Sequence, residues 1–454
     1  MRDRVIDAQN ERGGGRKKEP AGRWSRGELD RLHGATDPEI DRVVAAYLRD
    51  HPEFADPRDL VMSMIQELRQ AKRDPQWFTR HANDPEETWL TDALKVALAP
   101  PPWNPDPELI ERGQGVFADY GLYQASALFF ASLPMAYATV EGAEVLARVS
   151  DLATQDLTRR VAETGQMLLD VMGLRGGHSL DPGRPGYMTA IGLRLMHACV
   201  RALILDQPAP DSWPPAEGFG PPVNQELMLG TLLDFTVVTW EAMNRMGIAL
   251  KAADREANLH AWSYVGLLMG VEACRDGALS LDDVEQIEAG MSRLLGSSEA
   301  GQRLMTALLR EMEDFMPLGW RKLPRSVVRW LFRGAPDPVR QVPDLLQVPP
   351  AAWWSIPLQA SLREANRNSW WLGPLARLAH ALIRKLGRHV LISYSDRYAK
   401  GPTPFRMPAE LAGAWRIRTT AGARWVRDKR RMVRHAARTP IRRRGGRGSG
   451  RGPS

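Results

Sequence analysis

The sequence predicts an all-α fold, a single large helical domain between disordered termini. Three observations predict it. Apolar residues recur at helical spacing along most of the chain, no stretch sustains the period-two alternation of a half-buried strand, and Pro/Gly-rich breaks separate runs of helical length. With 454 residues and 43% hydrophobic content, the chain is long enough for one large or two ordinary domains and supports a full core. No fixed-length repeat appears.

Residues 1 to about 26 are polar and read as disordered, with the tail extending to about residue 30 and the folded body expected over 31–400. From Asp37, Ile40, Val43, Val44, Tyr47 and Leu48 mark a helix closed by His51-Pro52, and similar patterns fall over 59–71 and 89–98. After a Pro-rich break, apolar runs at 109–117 and 122–138 are separated by Asp119-Tyr120-Gly121. The second is apolar nearly all round, which places it in the core, with an end or kink at Pro134. A short amphipathic helix follows at 142–149. Over 155–172, Leu157, Val161, Thr164, Leu168 and Val171 share one face, and Arg160 lies one turn before Thr164. A cation and a hydroxyl thus border a buried seam, although a back-bonded core threonine and a snorkelling arginine explain the pattern equally well.

A Gly/Pro loop over 174–185 leads into a helix over 186–205, and a second Pro-rich loop spans 206–222. The run 224–240 is apolar on most faces, with Thr231, Asp234 and Thr239 as buried polar candidates. Residues 260–273 form another core helix, in which His260, near its N-terminus, reads as a packing or capping residue. Amphipathic helices follow at 281–295 and 301–316, then helices at 324–332 and 371–388, the last with a basic face.

The helix over 186–205 carries the informative polar groups. At 100° per residue, Arg194, His197 and Arg201 fall within about 60° of one another on an otherwise apolar helix. Burying two unpaired guanidiniums costs several kcal/mol each, so an acidic partner must face the stripe. Either a neighbouring helix supplies carboxylates, with Asp234 the first choice, or an anionic cofactor does, its metal taking His197. A lone helical histidine is more often a hydrogen-bonded core residue than a ligand. The flanking arginines and the Arg160/Thr164 pair shift that balance.

Composition removes other classes. Cys199 and Cys274 form no CxxC or CxxCH, and Cys199 points away from the stripe, which disfavours a thiolate ligand. HExxH, paired ExxH, GxGxxG after a strand, GxxxxGK[ST] and GxSxG are all missing. The first twenty residues lack an apolar signal core and no run reaches 18 uncharged apolar residues, so a cytoplasmic location is expected. The net charge of +7 is unevenly spread: from Arg424 onward eleven arginines and Lys429 oppose only Asp428, a surplus of +11 that leaves about −4 for the rest. Such an arm, expected over 401–454, binds acidic surfaces such as nucleic acid or anionic membrane. It supports an alternative reading as a haem-free helical binding protein. An all-α body expected to be lined with Met and aromatic residues, with one buried histidine beside cations, nevertheless matches what haem binding requires.

Several stretches, in this order, carry a resemblance: Gly121-Leu-Tyr-Gln-Ala with Ser132-Leu-Pro-Met-Ala-Tyr-Ala, Arg160-Val-Ala-Glu-Thr164, Gly192-Leu-Arg-Leu-Met-His197-Ala-Cys-Val-Arg201, Pro222-Val-Asn-Gln225, the helix from Trp262 to Gly270, and Leu323-Pro-Arg-Ser-Val-Val-Arg-Trp. Together they resemble the MpaB and latex-clearing-protein (rubber oxygenase) family of b-type haem oxygenases. The resemblance implies a globin-like helical core with extra helices and a haem b whose iron takes His197 as proximal ligand. Arg194 and Arg201 would be the cations beside the cofactor, and Arg160 and Thr164 would lie on the distal side. Glu163 stands where rubber oxygenases carry lysine, which points away from rubber cleavage itself. Glu144 and Glu141 are the candidates for the family's distal glutamate. The implied activity is dioxygen-dependent oxidation of a hydrophobic, isoprenoid or lipid-like molecule, with an electron donor if one is needed.

Overall fold

The computed structural model describes residues 23–50, 99, 101–149, 157–174, 177–206, 212–214, 218–314 and 316–367. Among these residues the chain is helical, with one isolated bridge between Thr139 and Leu295 and no strand, as the periodicity predicts. The helices expected at 59–71, 89–98 and 371–388, and the basic arm, lie outside the described residues.

Helix α1, Arg26–His33, begins inside the stretch expected to be a disordered tail. Ser25 caps it by accepting from the Glu28 amide at 3.4 Å, Leu29 and Leu32 are buried, and the Trp24 indole donates to Asp283 at 2.6 Å. Two leucines three residues apart are enough to dock a short polar helix whose average composition looks unstructured. Helix α2, Pro38–Asp50, follows.

Helix α3, Pro107–Ala127, is capped by Asp106 and runs straight through the expected break at 119–121. One interior glycine costs about 1 kcal/mol, less than the burial of Val116, Phe117 and Ala127 on the continuous helix returns. The kink expected at Pro134 takes a definite form. The ladder widens into a π turn over Leu128–Ser132, and Pro134, which has no amide to donate, sits in the first turn of α4, Leu133–Ala138.

Helices α5, Val140–Val149, α6, Leu157–Val171, and α7, Pro185–Leu205, come next. The apolar run expected at 224–240 is two helices, α8, Gln225–Phe235, and α9, Val237–Arg245, because Thr236 leaves helical geometry at φ −114° and ψ −87°. Its hydroxyl donates to the Leu232 carbonyl at 3.0 Å, and Thr239 donates to the Thr236 carbonyl at 2.6 Å. Thr239 is buried as expected, whereas Thr231 is exposed. The remaining helices are α10, Ala252–Leu268, α11, Leu281–Met291, α12, Glu299–Asp314, α13, Leu323–Phe332, α14, Val342–Leu345, and α15, Ser355–Arg367.

Packing centres on two places. Helices α3 and α10 cross so closely at Gly113 that a Cβ there would stand 2.3 Å from the Ala257 carbonyl oxygen. Tyr137, Met243, Met305, Leu308, Val328 and Phe332 form a core joining α4, α9, α12 and α13. Helix α7 is the one described helix long and apolar enough to cross a bilayer by length and composition. Here it packs against α2, α6 and α10.

Candidate functional site

The start of α7 is sewn to the end of α6. Gly186 has no room for a Cβ, which would lie 2.7 Å from the Asp170 carbonyl oxygen, and Thr189 donates to the Asp170 carboxylate at 2.9 Å. The polar stripe is then set by its ion pairs. Arg194 donates through Nε and Nη2 to Asp37 at 2.5 and 2.9 Å, and Arg201 donates through Nε to Asp41 at 2.8 Å and through Nη1 to the Val223 carbonyl at 3.1 Å. Neighbouring carboxylates therefore answer the stripe, but they come from the start of α2 and not from Asp234. Asp234 has no ion pair among the described residues, and burial pushes its carboxyl well above the usual range. Both arginines are paired with carboxylates at the start of α2, and these pairs fix α7. Gly270, at φ +80°, closes over the inner pair, where a Cβ would stand 2.3 Å from Asp37 and 2.7 Å from Arg194.

Between the two pairs stands His197. Burial lowers its pKa to about 4, the Arg201 charge adds to that shift, and the ring is neutral at physiological pH. Its Nδ1 is buried without a hydrogen-bond partner among the described residues. The other described histidines are engaged. His260 Nε2 accepts from the Asp106 amide at 3.0 Å and packs edge-on to Trp103, His33 meets Glu226 at 3.1 Å, and exposed His178 lies 3.7 Å from Asp181. His260 is thus the capping residue expected, although it sits mid-helix in α10 and caps α3 instead of its own helix. A satisfied core histidine would have looked like His260, and His197 does not. No cluster of three or more metal-binding side chains occurs among the described residues, but haem iron asks the protein for a single axial imidazole.

Arg160 and Thr164 lie one turn apart on α6, which packs along α7. The side chain of Arg160 lies outside the described residues. Of the expected seam, Thr164 is exposed and Leu168 and Val171 are buried, while the side chains of Leu157 and Val161 lie outside the described residues. Of the two glutamate candidates, Glu144 pairs with Arg148 one turn on at 2.9 Å. Glu141 is buried, accepts from Asn224 Nδ2 at 2.7 Å and lies 3.4 Å from His33 Nε2, and burial raises its pKa against the opposing His33 charge.

The sequence reading missed the network around these groups. Glu226, fully buried, accepts from Arg293 at 2.5 and 3.0 Å and contacts His33, and Arg293 also reaches Asp30 at 3.1 Å. Pro222-Val-Asn-Gln225 is part of the same architecture. Val223 holds φ 53°, a conformation that costs a β-branched residue energy, Asn224 caps α8, and Gln225 donates to the carbonyls of Thr36 and Gly270 at 2.9 Å each. The available signal was an acidic residue in the first turn of an apolar helix.

Residues 116–442, well over half of the chain, match the family model described as "ER-bound oxygenase mpaB/B'/Rubber oxygenase, catalytic domain". The chain belongs to this family. Within the MpaB/rubber oxygenase family, a stretch of 117 residues is 28% identical to the rubber oxygenase of Streptomyces sp. (strain K30) and spans 26% of this chain and 27% of that protein, about a quarter of each. The fold is similar to that of latex clearing protein LCP in its closed state, with a TM-score of 0.58 and 19% identity over 80% of this chain and 91% of that one. The family match covers α6, with Arg160 and Thr164, and α7, with His197.

Proposed function

We propose that the protein is a haem b-dependent oxygenase acting with dioxygen on a hydrophobic, isoprenoid or lipid-like substrate, with His197 as the proximal ligand. One observation carries the reading: a neutral, half-buried imidazole on a fixed helix, whose interior Nδ1 has no hydrogen-bond partner among the described residues. Haem iron would supply the redox chemistry with dioxygen. The chain's own contribution is to hold the His197 lone pair unprotonated and to fix its helix through Asp37 and Asp41, so that the ring would be held ready to serve as the ligand. On α6, Arg160 and Thr164 supply a cation and a hydroxyl as the distal hydrogen-bonding pair of this reading. Family membership supports the oxygenase class.

Purified protein supplied with haem is expected to show a Soret band and a haem b pyridine haemochrome, both lost or shifted in His197→Ala. Arg160→Ala is expected to keep the haem and lose turnover. A wild type that stays colourless after haem supplementation would end the proposal.

A further inference from the structure

Seven large apolar side chains are exposed among the described residues, and five of them lie between residues 318 and 358. Leu318 is 88% exposed, Trp353 82%, Trp320 and Ile356 46% each, and Leu358 40%. The two chain segments form one face. Trp320 and Trp354 meet edge-on with ring centroids 5.5 Å apart, and Trp330 and Arg333 of the α13 end line a recess of about 320 Å³ together with Ile356, Arg363 and Arg367 of α15. This face is also cationic. Lys322, Arg333, Arg363 and Arg367 have no acidic ion-pair partner among the described residues, whereas Arg321 pairs with Asp314 at 2.8 Å and Arg325 lies 3.9 Å from Glu313. Glu364 is the one carboxylate lining the recess.

We propose that this face docks on an anionic lipid bilayer, with the indoles and aliphatic tips at the headgroup boundary and the unpaired cations on anionic headgroups. Tryptophan, leucine and isoleucine tips ringed by arginine and lysine match the layering of a bilayer surface, where apolar depth and negative charge lie within one side-chain length. Charge argues against the other ways of covering the face. A symmetric contact with a second copy would set the same unpaired cations against one another. The chain beyond residue 367 carries Arg377, Arg384, Lys385 and Arg388, and would bring further positive charge to a positive face. The inference does not depend on haem, and if the proposed activity holds it places the enzyme where hydrophobic substrates dissolve.

Co-sedimentation of the full chain with phosphatidylcholine vesicles, with and without about 30% phosphatidylglycerol, tests it. The variants are Leu318→Ser/Trp353→Ser and Arg333→Gln/Arg363→Gln, all at exposed positions, with circular dichroism as the check on folding. Salt separates this face from the basic arm, since 0.5 M NaCl screens the arm while apolar insertion persists. Wild type is expected to bind the anionic vesicles and to stay partly bound at 0.5 M NaCl, the apolar variant to lose about ten-fold in bound-to-free ratio there, and the arginine variant about ten-fold at 0.1 M. Binding by the apolar variant equal to wild type at 0.5 M NaCl would overturn the proposal. So would a wild-type dimer that Leu318→Ser/Trp353→Ser converts to monomer, which would assign the face to a second copy.

Discussion

An unpartnered imidazole stands three residues after one anchored guanidinium and four before another, and the anchors decide which way it faces. Asp37 and the Arg194 side chain are both largely out of water, so removing the carboxylate leaves a buried cation with only the exposed Glu39, 3.6 Å from its Nη2. Asp37→Ala is expected to lower unfolding stability by about 3 kcal/mol in urea titration, and Asp37→Ala/Arg194→Met to recover most of it. A single-variant loss below about 1 kcal/mol would mean that the pair does not hold α7. Gly270→Ala should cost about 2 kcal/mol or more, since it places a side chain at φ +80° and drives a methyl into the same pair. At this scale the stripe itself was legible, because angular spacing on a helix is fixed by sequence position. The identity of the acid was not, because Asp37 is 157 residues from Arg194 in the chain and no periodicity links them.

Helices settle where a polar staple or a missing side chain lets them, and α1 shows the first case. His33 at its end faces Glu226 of α8 and Glu141 of α5 and donates from Nε2 to the Gly218 carbonyl at 3.3 Å, with Arg293 and Asp30 completing the cluster. The hydrogen bond to Glu226 is the main cause that raises the His33 pKa above 6.5, burial opposes it, and the Glu141 charge helps. A raised histidine contributes stability that is fully present below about pH 6.5 and is lost as pH rises through its folded-state pKa. Glu141, also raised, acts in the same sense above its ordinary range. The stability difference between wild type and His33→Gln is therefore expected to shrink from about pH 6 to pH 8.5 in thermal melts, and a constant difference would show that the staple does not titrate. The crossing of α3 and α10 shows the second case. Gly113→Val should cost about 3 kcal/mol in the same melts, because backbone is what the new side chain meets. Sequence patterning located most helices because buried faces impose the 3.6 period. It failed where few residues carried the burial, as in α1, or where one local residue, Thr236, outweighed a continuous apolar run.

Across the whole molecule, charge is sharply divided: the surplus of +11 from Arg424 onward sits on a remainder near −4. The fold class was legible because period and breaks agree along the chain, and a match of TM-score 0.58 to latex clearing protein supports the same architecture. The function of the arm was not legible, because arginine and glycine without a pattern specify attraction to negative charge and nothing finer. The two functional readings separate at residue 442, where the family match ends. Truncation there removes Arg443, Arg444, Arg447 and Arg451 and leaves every matched residue in place. If the body is the oxygenase, haem content, Soret position and turnover are unchanged. Binding to duplex DNA should then lose up to about 0.9 in log–log salt slope for each arginine that had met a phosphate. Loss of haem and activity together with the arm would instead make the arm part of the working domain.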